Sequence, residues 1–224
     1  MTTLLFGSIS TLADTSELQR AAFNAAFAQH GLDWTWGRDE YVDLLRGNGG
    51  ADRIAAYAKD RGQEVDSAAV HRTKSQLFQD SLATSGVTPR PGVAETISAA
   101  RADGMTVALV TTTSSDNVSA LLQALAPQVR AEQFDLVVDA TDVETPKPDP
   151  AAYTYALTTL GRSPADCVAI EDNEGGVAAA TSAGIPTVAF PNANTTGHDF
   201  AAADSRTDTL ELAALSQLVH AGEA

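Results

Sequence analysis

The chain has 224 residues, 44% hydrophobic and 19% charged, enough to bury one substantial core but short for two large independent domains. Acidic groups outnumber basic ones 29 to 14, a formal charge of −15, so duplex nucleic acid and anionic lipid surfaces are repelled at long range and neither is expected as a partner. A single cysteine, Cys167, excludes an internal disulfide, and with no apolar run near the ~20 residues of a membrane span a cytoplasmic location is expected.

Thr2 to Ile9 reads as a strand, with Leu4, Leu5 and Phe6 consecutive as in a strand covered on both faces. From Asp14 the pattern becomes helical, placing Leu18, Ala22, Ala25 and Ala26 on one face and closing at His30-Gly31. Helical stretches at Asp39 to Leu45, Ala51 to Asp60 and Ser67 to Leu82 follow, so residues 15–86 carry no strand signal. After Pro89-Arg90-Pro91-Gly92 the chain alternates. Helices are expected at Val93 to Ala102, Ser115 to Leu125, Pro150 to Leu160 and Gly175 to Ser182, and strands at Met105 to Val110, Phe134 to Asp139, Cys167 to Ile170 and Pro186 to Phe190. That alternation predicts parallel βαβ units, because a parallel pair needs a crossover. The expected fold class is α/β: a doubly wound parallel-sheet core from residues 1–14 and 87–224, with residues 15–86 as a helical subdomain inserted after the first strand.

Ligands of such sheets gather at the carboxyl ends of the strands, where loops enter helix N-termini. Thr111-Thr112-Thr113-Ser114-Ser115 follows a strand and opens a helix, bringing hydroxyls and free N–H groups to one point, although Thr and Ser are also ordinary helix caps. Lys147, between restraining prolines in Lys147-Pro148-Asp149-Pro150, offers an ammonium to a phosphate or simply stands in solvent. Glu171 and Asp172 directly follow a strand and suit Mg²⁺, or cap the next helix.

In order and spacing these segments resemble the haloacid dehalogenase (HAD) superfamily, in its CbbY and β-phosphoglucomutase-like branch with a helical cap. Thr11-Leu12-Ala13-Asp14-Thr15 continues that family's first motif, and Phe23 to Phe27 and Gly49 to Ile54 are similar to its cap segments. Thr111 matches the second motif, Lys147 the third, and Glu171-Asp172 with Gly176 the fourth. The resemblance implies a Rossmann-like core, a phosphate or phosphosugar ligand held by Thr111, Thr112 and Lys147, Mg²⁺ at Glu171 and Asp172, and no organic cofactor. It further implies a substrate-selecting cap surface at Glu17, Arg20, Arg46, Asn48, Gly50 and Arg53. Trp34 and Trp36 either line a pocket or pack the cap against itself.

One departure stands out. Where the family has an Asp-x-Asp-Gly-type sequence, this chain reads Gly7-Ser8-Ile9-Ser10. The first Asp of that sequence attacks phosphorus and binds Mg²⁺, and the second carries the leaving-group proton. Gly7 has no side chain to form an aspartyl-phosphate, and the hydrocarbon of Ile9 neither takes nor gives a proton. The metal site is expected to be weakened, though the Ile9 carbonyl remains a possible ligand. Ser8 and Ser10 are the nearest alternative nucleophiles, but the period of two in a strand points them away from the Gly7 and Ile9 direction unless the loop turns early. No base is evident for them, because His30, His71, His198 and His220 read as helix-end or surface residues, and Asp14 suits a helix cap. The expectation is a HAD-like protein severely impaired in phosphoryl transfer that keeps a phosphosugar pocket. The alternative is an active Mg²⁺-dependent sugar-phosphate phosphatase or mutase using a non-standard nucleophile or activated water.

Overall fold

The computed structural model describes residues 2–46 and 49–221. Its framework is one six-stranded, wholly parallel sheet in the order β3-β2-β1-β4-β5-β6. The strands are β1 (Thr3–Phe6), β2 (Thr106–Val110), β3 (Leu136–Val138), β4 (Cys167–Glu171), β5 (Thr187–Ala189) and β6 (Ser205–Arg206). The first strand is central, with Leu5 opposite Ala108 on one side and Ala169 on the other. The chain therefore winds outward from β1 in both directions, and the strand order reverses beside it. That is the place where a doubly wound sheet opens a crevice.

Both faces of the sheet are covered, as the unbroken apolar run of β1 requires. Leu4 and Phe6 join one core with Ile97, Leu109, Leu121 and Ile170, and Leu5 joins the other with Ala108, Tyr153, Ala169 and Ala180. The covering helices are α6 (Val93–Ala102), α7 (Ser115–Leu125), α8 (Ala151–Leu160), α9 (Glu174–Ser182) and α10 (Leu212–Ala221). Both β6 and α10 lie beyond Phe190, where the sequence expectations stop. In α10, Leu215 and Val219 bury into the first core. Among the described residues no helix is long and apolar enough to cross a membrane.

Between β1 and α6 the chain is helical, as expected: α1 (Ile9–Leu12), α2 (Ser16–Gln29), α3 (Arg38–Leu44), α4 (Gly50–Asp60) and α5 (Ser67–Leu82). Helices α2 to α5 enclose their own aromatic cluster of Phe23, Phe27, Trp34, Trp36, Tyr41 and Ile54. Trp36 is fully buried, its ring centroid 4.8 Å from Phe23 and 4.6 Å from Phe27. Trp34 donates its indole N–H to Gln63 Oε1 at 2.7 Å. Both tryptophans thus pack the insert rather than line a pocket.

Helix α1 corrects the expectation of a strand to Ile9. The Ser8 hydroxyl accepts from the N–H groups of Ser10 and Thr11, and Thr11 Oγ1 receives the Ser8 N–H, so the chain turns as soon as β1 ends. The turn sends Ile9 into the core, where it is 5% exposed. The return from the insert is fastened by buried Arg90, which donates to the carbonyls of Ser10, Phe190 and Pro191 and lies 3.4 Å over the Phe190 ring.

Removing the central ring of the insert should be costly. Trp36→Ala is expected to lose about 3–5 kcal/mol in chemical denaturation followed by circular dichroism, whereas Tyr155→Ala, at a side chain 38% exposed, should stay within about 0.5 kcal/mol. Similar midpoints for the two variants would contradict the packing described.

Candidate functional site

The carboxyl ends of β1, β2 and β4 open on a cleft of about 550 Å³ between the sheet and helices α2 to α5. Ser8, Thr111 to Ser114, Asp172 and Asn192 line it from the core, and Gly50, Arg53, His71 and Lys74 from the insert.

Beneath the cleft lies a buried ionic cluster. Lys147 Nζ donates to the carbonyl of Gly7, to the carbonyl of Val110 at 2.7 Å and to Glu171 Oε1 at 2.6 Å. An ammonium has three N–H donors, and all three are engaged within the protein. The same Glu171 oxygen accepts the Tyr153 hydroxyl at 2.7 Å. Glu171 is fully buried and Lys147 is 6% exposed. Burial raises the Glu171 carboxyl above its ordinary range, with Lys147 pulling it back down. The Tyr153 hydroxyl is raised well above its usual value by burial and by Glu171.

Gly7 makes this arrangement possible. A Cβ on residue 7 would lie 2.1 Å from Glu171 Cδ and Oε1 and 2.5 Å from the Tyr153 hydroxyl. The Glu171 carboxylate therefore occupies the space into which a side chain at position 7 would project. Two expectations are corrected here. Lys147 faces inward with no N–H left for a phosphate, and Glu171 points into the protein rather than toward Asp172, because successive residues along a strand face opposite sides.

Asp172 does face the cleft, and its oxygens are already paired. Oδ1 accepts from Ser8 Oγ at 2.7 Å and Asn173 Nδ2 at 3.0 Å, and Oδ2 accepts from Asn192 Nδ2 at 2.9 Å. The Ile9 carbonyl accepts from the Ala13 N–H at 3.2 Å, closing α1. Among the described residues no three His, Cys, Asp or Glu side chains converge to hold a metal ion. Asp172 would present its carboxylate oxygen to Mg²⁺, an ion held through one or two carboxylates together with waters and substrate phosphates; with no carboxylate at residue 7 the donor set is a weak one.

Ser8 is closer to a nucleophile's position than strand geometry predicts, because the early turn brings it to the cleft beside a carboxylate. It is nevertheless saturated: its one O–H donates to Asp172, and its lone pairs accept from Ser10 N at 3.0 Å and Thr11 N at 3.1 Å. Ser10 Oγ instead shares a hydrogen bond with Thr15 Oγ1 at 3.0 Å. Asp14 accepts from the Ser16 N–H and hydroxyl and from the Ala193 N–H, tying the start of α2 to the core.

The wall at the end of β2 presents hydroxyl and N–H groups to the cleft. Thr111 and Thr112 both line the cleft at the end of β2. Thr111 Oγ1 accepts from the Thr113 N–H, and Ser114 caps α7 by accepting from Asn117 N. The first-turn N–H groups of α7 carry the positive end of its dipole to the cleft edge. Asp116, in the same turn, is the opposing charge there.

On the insert, the expected selecting residues separate into two groups. Glu17, Arg20 and Arg46 do not line the cleft. Glu17 accepts from Arg20 and from Asn194 Nδ2 at 2.6 Å, Arg20 also donates to the Trp36 carbonyl, and Arg46 pairs with Glu174 at 2.7 Å. These residues brace the insert internally or against the core. Arg38 does the same through Asn194 Oδ1 at 2.9 Å. Asn48 lies outside the described residues. Gly50 and Arg53 are in the cleft, and Gly50 allows α4 to approach α5, since a Cβ there would meet His71 Nε2 at 2.3 Å.

Sequence reasoning missed Lys74 and His71. Lys74 is 4% exposed, donates to Gln19 Oε1 at 3.0 Å and sits 4.7 Å from the Phe23 ring centroid. Burial and nearby Arg53 push it down to about 7. Half-buried His71 is pushed down to about 4 by burial, Lys74 and Arg53. The other histidines divide: His30 is exposed and bonded to Thr73, whereas His198 is buried with its ring nitrogen 3.1 Å from the Val42 carbonyl, contrary to a surface assignment. The His220 side chain lies outside the described residues. A signal for Lys74 existed in the helical spacing of Val70, Lys74 and Phe78, which puts a lysine in a buried stripe.

Comparison with known proteins agrees with this architecture. The family model described as haloacid dehalogenase-like hydrolase matches residues 1–184. Protein CbbY of Rhodobacter capsulatus is 40% identical over 214 residues, 94% of each chain. The crystal structure of CbbY from Rhodobacter sphaeroides in complex with phosphate superposes with a TM-score of 0.88 at 37% identity, covering 96% of this chain and 99% of that one. A mutant of the same protein in complex with xylulose-(1,5)bisphosphate gives 0.86 at 38% identity, covering 93% and 94%. The chain belongs to the haloacid dehalogenase-like hydrolase family, in its CbbY-like branch.

Proposed function

We propose that this protein is a phosphosugar-binding member of its family in which the phosphoryl-transfer machinery is disabled, and that its ligand is a sugar carrying two phosphates. Residues 1–14 and 87–224 serve as the core and residues 15–86 as the cap that closes over the ligand. The observation that carries the reading is the Glu171 carboxylate lying where a residue-7 side chain would project. Glu171, Lys147 and Tyr153 are engaged with one another, Ser8 is hydrogen-bond saturated, and Ile9 is in the core. Among the described residues at the end of β1, no side-chain oxygen stands free and unbonded where the family's nucleophile would be.

Two anion-attracting regions face each other across the cleft. One phosphate is taken by the hydroxyls and N–H groups at Thr111, Thr112 and the α7 N-terminus. The other is taken by Arg53, His71 and Lys74 on the insert. The bisphosphate bound by the solved CbbY relative supports a ligand of that length and charge.

Titration calorimetry with xylulose 1,5-bisphosphate should show binding that is unchanged by replacing Mg²⁺ with a chelator, and a ligand at 100 times its Kd should stabilise the fold by about 2.7 kcal/mol. Absence of binding would contradict the reading. Phosphate release from the same sugar should stay far below an ordinary enzyme rate of about 1 s⁻¹, and turnover at that rate, lost in Asp172→Ala, would overturn it. The ionic cluster is structural in this account. Glu171→Ala, which leaves a buried ammonium uncompensated, should cost about 3–5 kcal/mol in a denaturant titration, and a neutral outcome would contradict that role.

A further inference from the structure

Lys74 is a buried cation of the cleft that, among the described residues, is paired with no carboxylate. Its ammonium has three donors, and Gln19 Oε1, a neutral acceptor, takes one. Phe23 and Phe78 lie under it at 4.7 and 5.0 Å, giving contacts that favour a cation but do not neutralise one. The groups around it are disposed as follows. Helix α2 offers Gln19 and Phe23, α3 offers Tyr41, α4 offers Arg53 and Asp52, and α5 itself offers His71, Arg72 and Phe78. Arg53 is the charged neighbour that acts on Lys74, and it acts by repulsion, while the influence of Asp52 falls on His71. A buried ammonium under those conditions sheds its proton more readily than one in water.

We infer that ligand binding is coupled to the uptake of one proton by Lys74, for which the docked phosphate becomes the missing counter-ion. This rests on the assignment of a phosphate to the Arg53, His71 and Lys74 side of the cleft. Without a counter-ion, burial and Arg53 push Lys74 down to about 7, so at pH 8 the neutral form is favoured. A dianionic phosphate against it favours the charged form and returns the proton from solvent. The ligand is not the source, because the second phosphate pKa of about 6 leaves it already dianionic at pH 8. Neither is His71, which starts from about 4, nor the two arginines, which stay charged throughout. The sign is fixed: above about pH 7 each rise in pH weakens binding, because more of the free protein must be protonated to receive the ligand.

The test is calorimetric titration of the full chain with xylulose 1,5-bisphosphate at about pH 8 in two buffers of different ionisation enthalpy. Wild-type protein should take up close to one proton per ligand, and at about pH 6 close to none from this group. Lys74→Arg, which keeps a permanent charge, should bind with uptake near zero and with an affinity that no longer falls as pH rises from about 7 to 9. Binding without uptake in the wild type, or equal uptake in Lys74→Arg, overturns the coupling while leaving the proposed function standing. No binding in either protein overturns both. The wild-type chain also answers alone, through the NMR titration of the Lys74 side-chain signal: a midpoint near 7 without ligand that moves above about 9 with it is the expected result. A midpoint near the ordinary lysine value of about 10.4 in the free protein contradicts the proposal.

Discussion

The ion pair between Lys147 and Glu171 is the contact around which the cleft is arranged. It joins the loop after β3 to the end of β4, and the other two N–H groups of Lys147 reach the backbone at the ends of β1 and β2. One ammonium therefore ties together the three strand ends that form the cleft floor. The carboxylate it holds needs room from two glycines, since a Cβ at Gly7 or Gly176 would lie 2.1 Å from Glu171 atoms. Buried charges persist only when paired and hydrogen-bonded. Here the pairing lies inside the protein, beneath the cleft.

Above that floor the cleft is lined by hydroxyl and N–H donors on one side and by basic side chains on the other. Donors remain at Thr111, Thr112 and the start of α7, and cations face them from α4 and α5. Around Asp172, Ser8, Asn173 and Asn192 donate to the carboxylate and hold it in place. Arg53, His71 and Lys74 make up the basic side of the cleft, and Lys74 is buried there against a neutral acceptor.

Much of the architecture was legible in the sequence because it rests on local pattern. The helices at Ser67–Leu82, Val93–Ala102 and Ser115–Leu125 have the bounds their apolar spacing predicts. The alternation after Pro91 gave the parallel sheet, and the motif order pointed to the family. Helix α1 was missed although Ser8 and Thr11 carry a capping signal, because Leu4 to Phe6 made a longer strand plausible. The site was legible only in part. That Gly7 and Ile9 cannot replace carboxylates follows from their side chains alone. Where Glu171 and Lys147 point does not, because that depends on vacant volume at a residue more than a hundred positions away in the chain. Lys74, likewise, becomes a cleft residue only when α2, α4 and α5 pack together, which no window of sequence contains.

The central claim is that Glu171 belongs to Lys147 and not to a metal. Crystals of the full chain soaked with Mg²⁺ and phosphate test it directly. The account predicts phosphate against Thr111, Thr112 and the first turn of α7, with the Glu171 carboxylate still on Lys147 and Tyr153. Electron density for a Mg²⁺ ion coordinated by both Glu171 and Asp172 would contradict it.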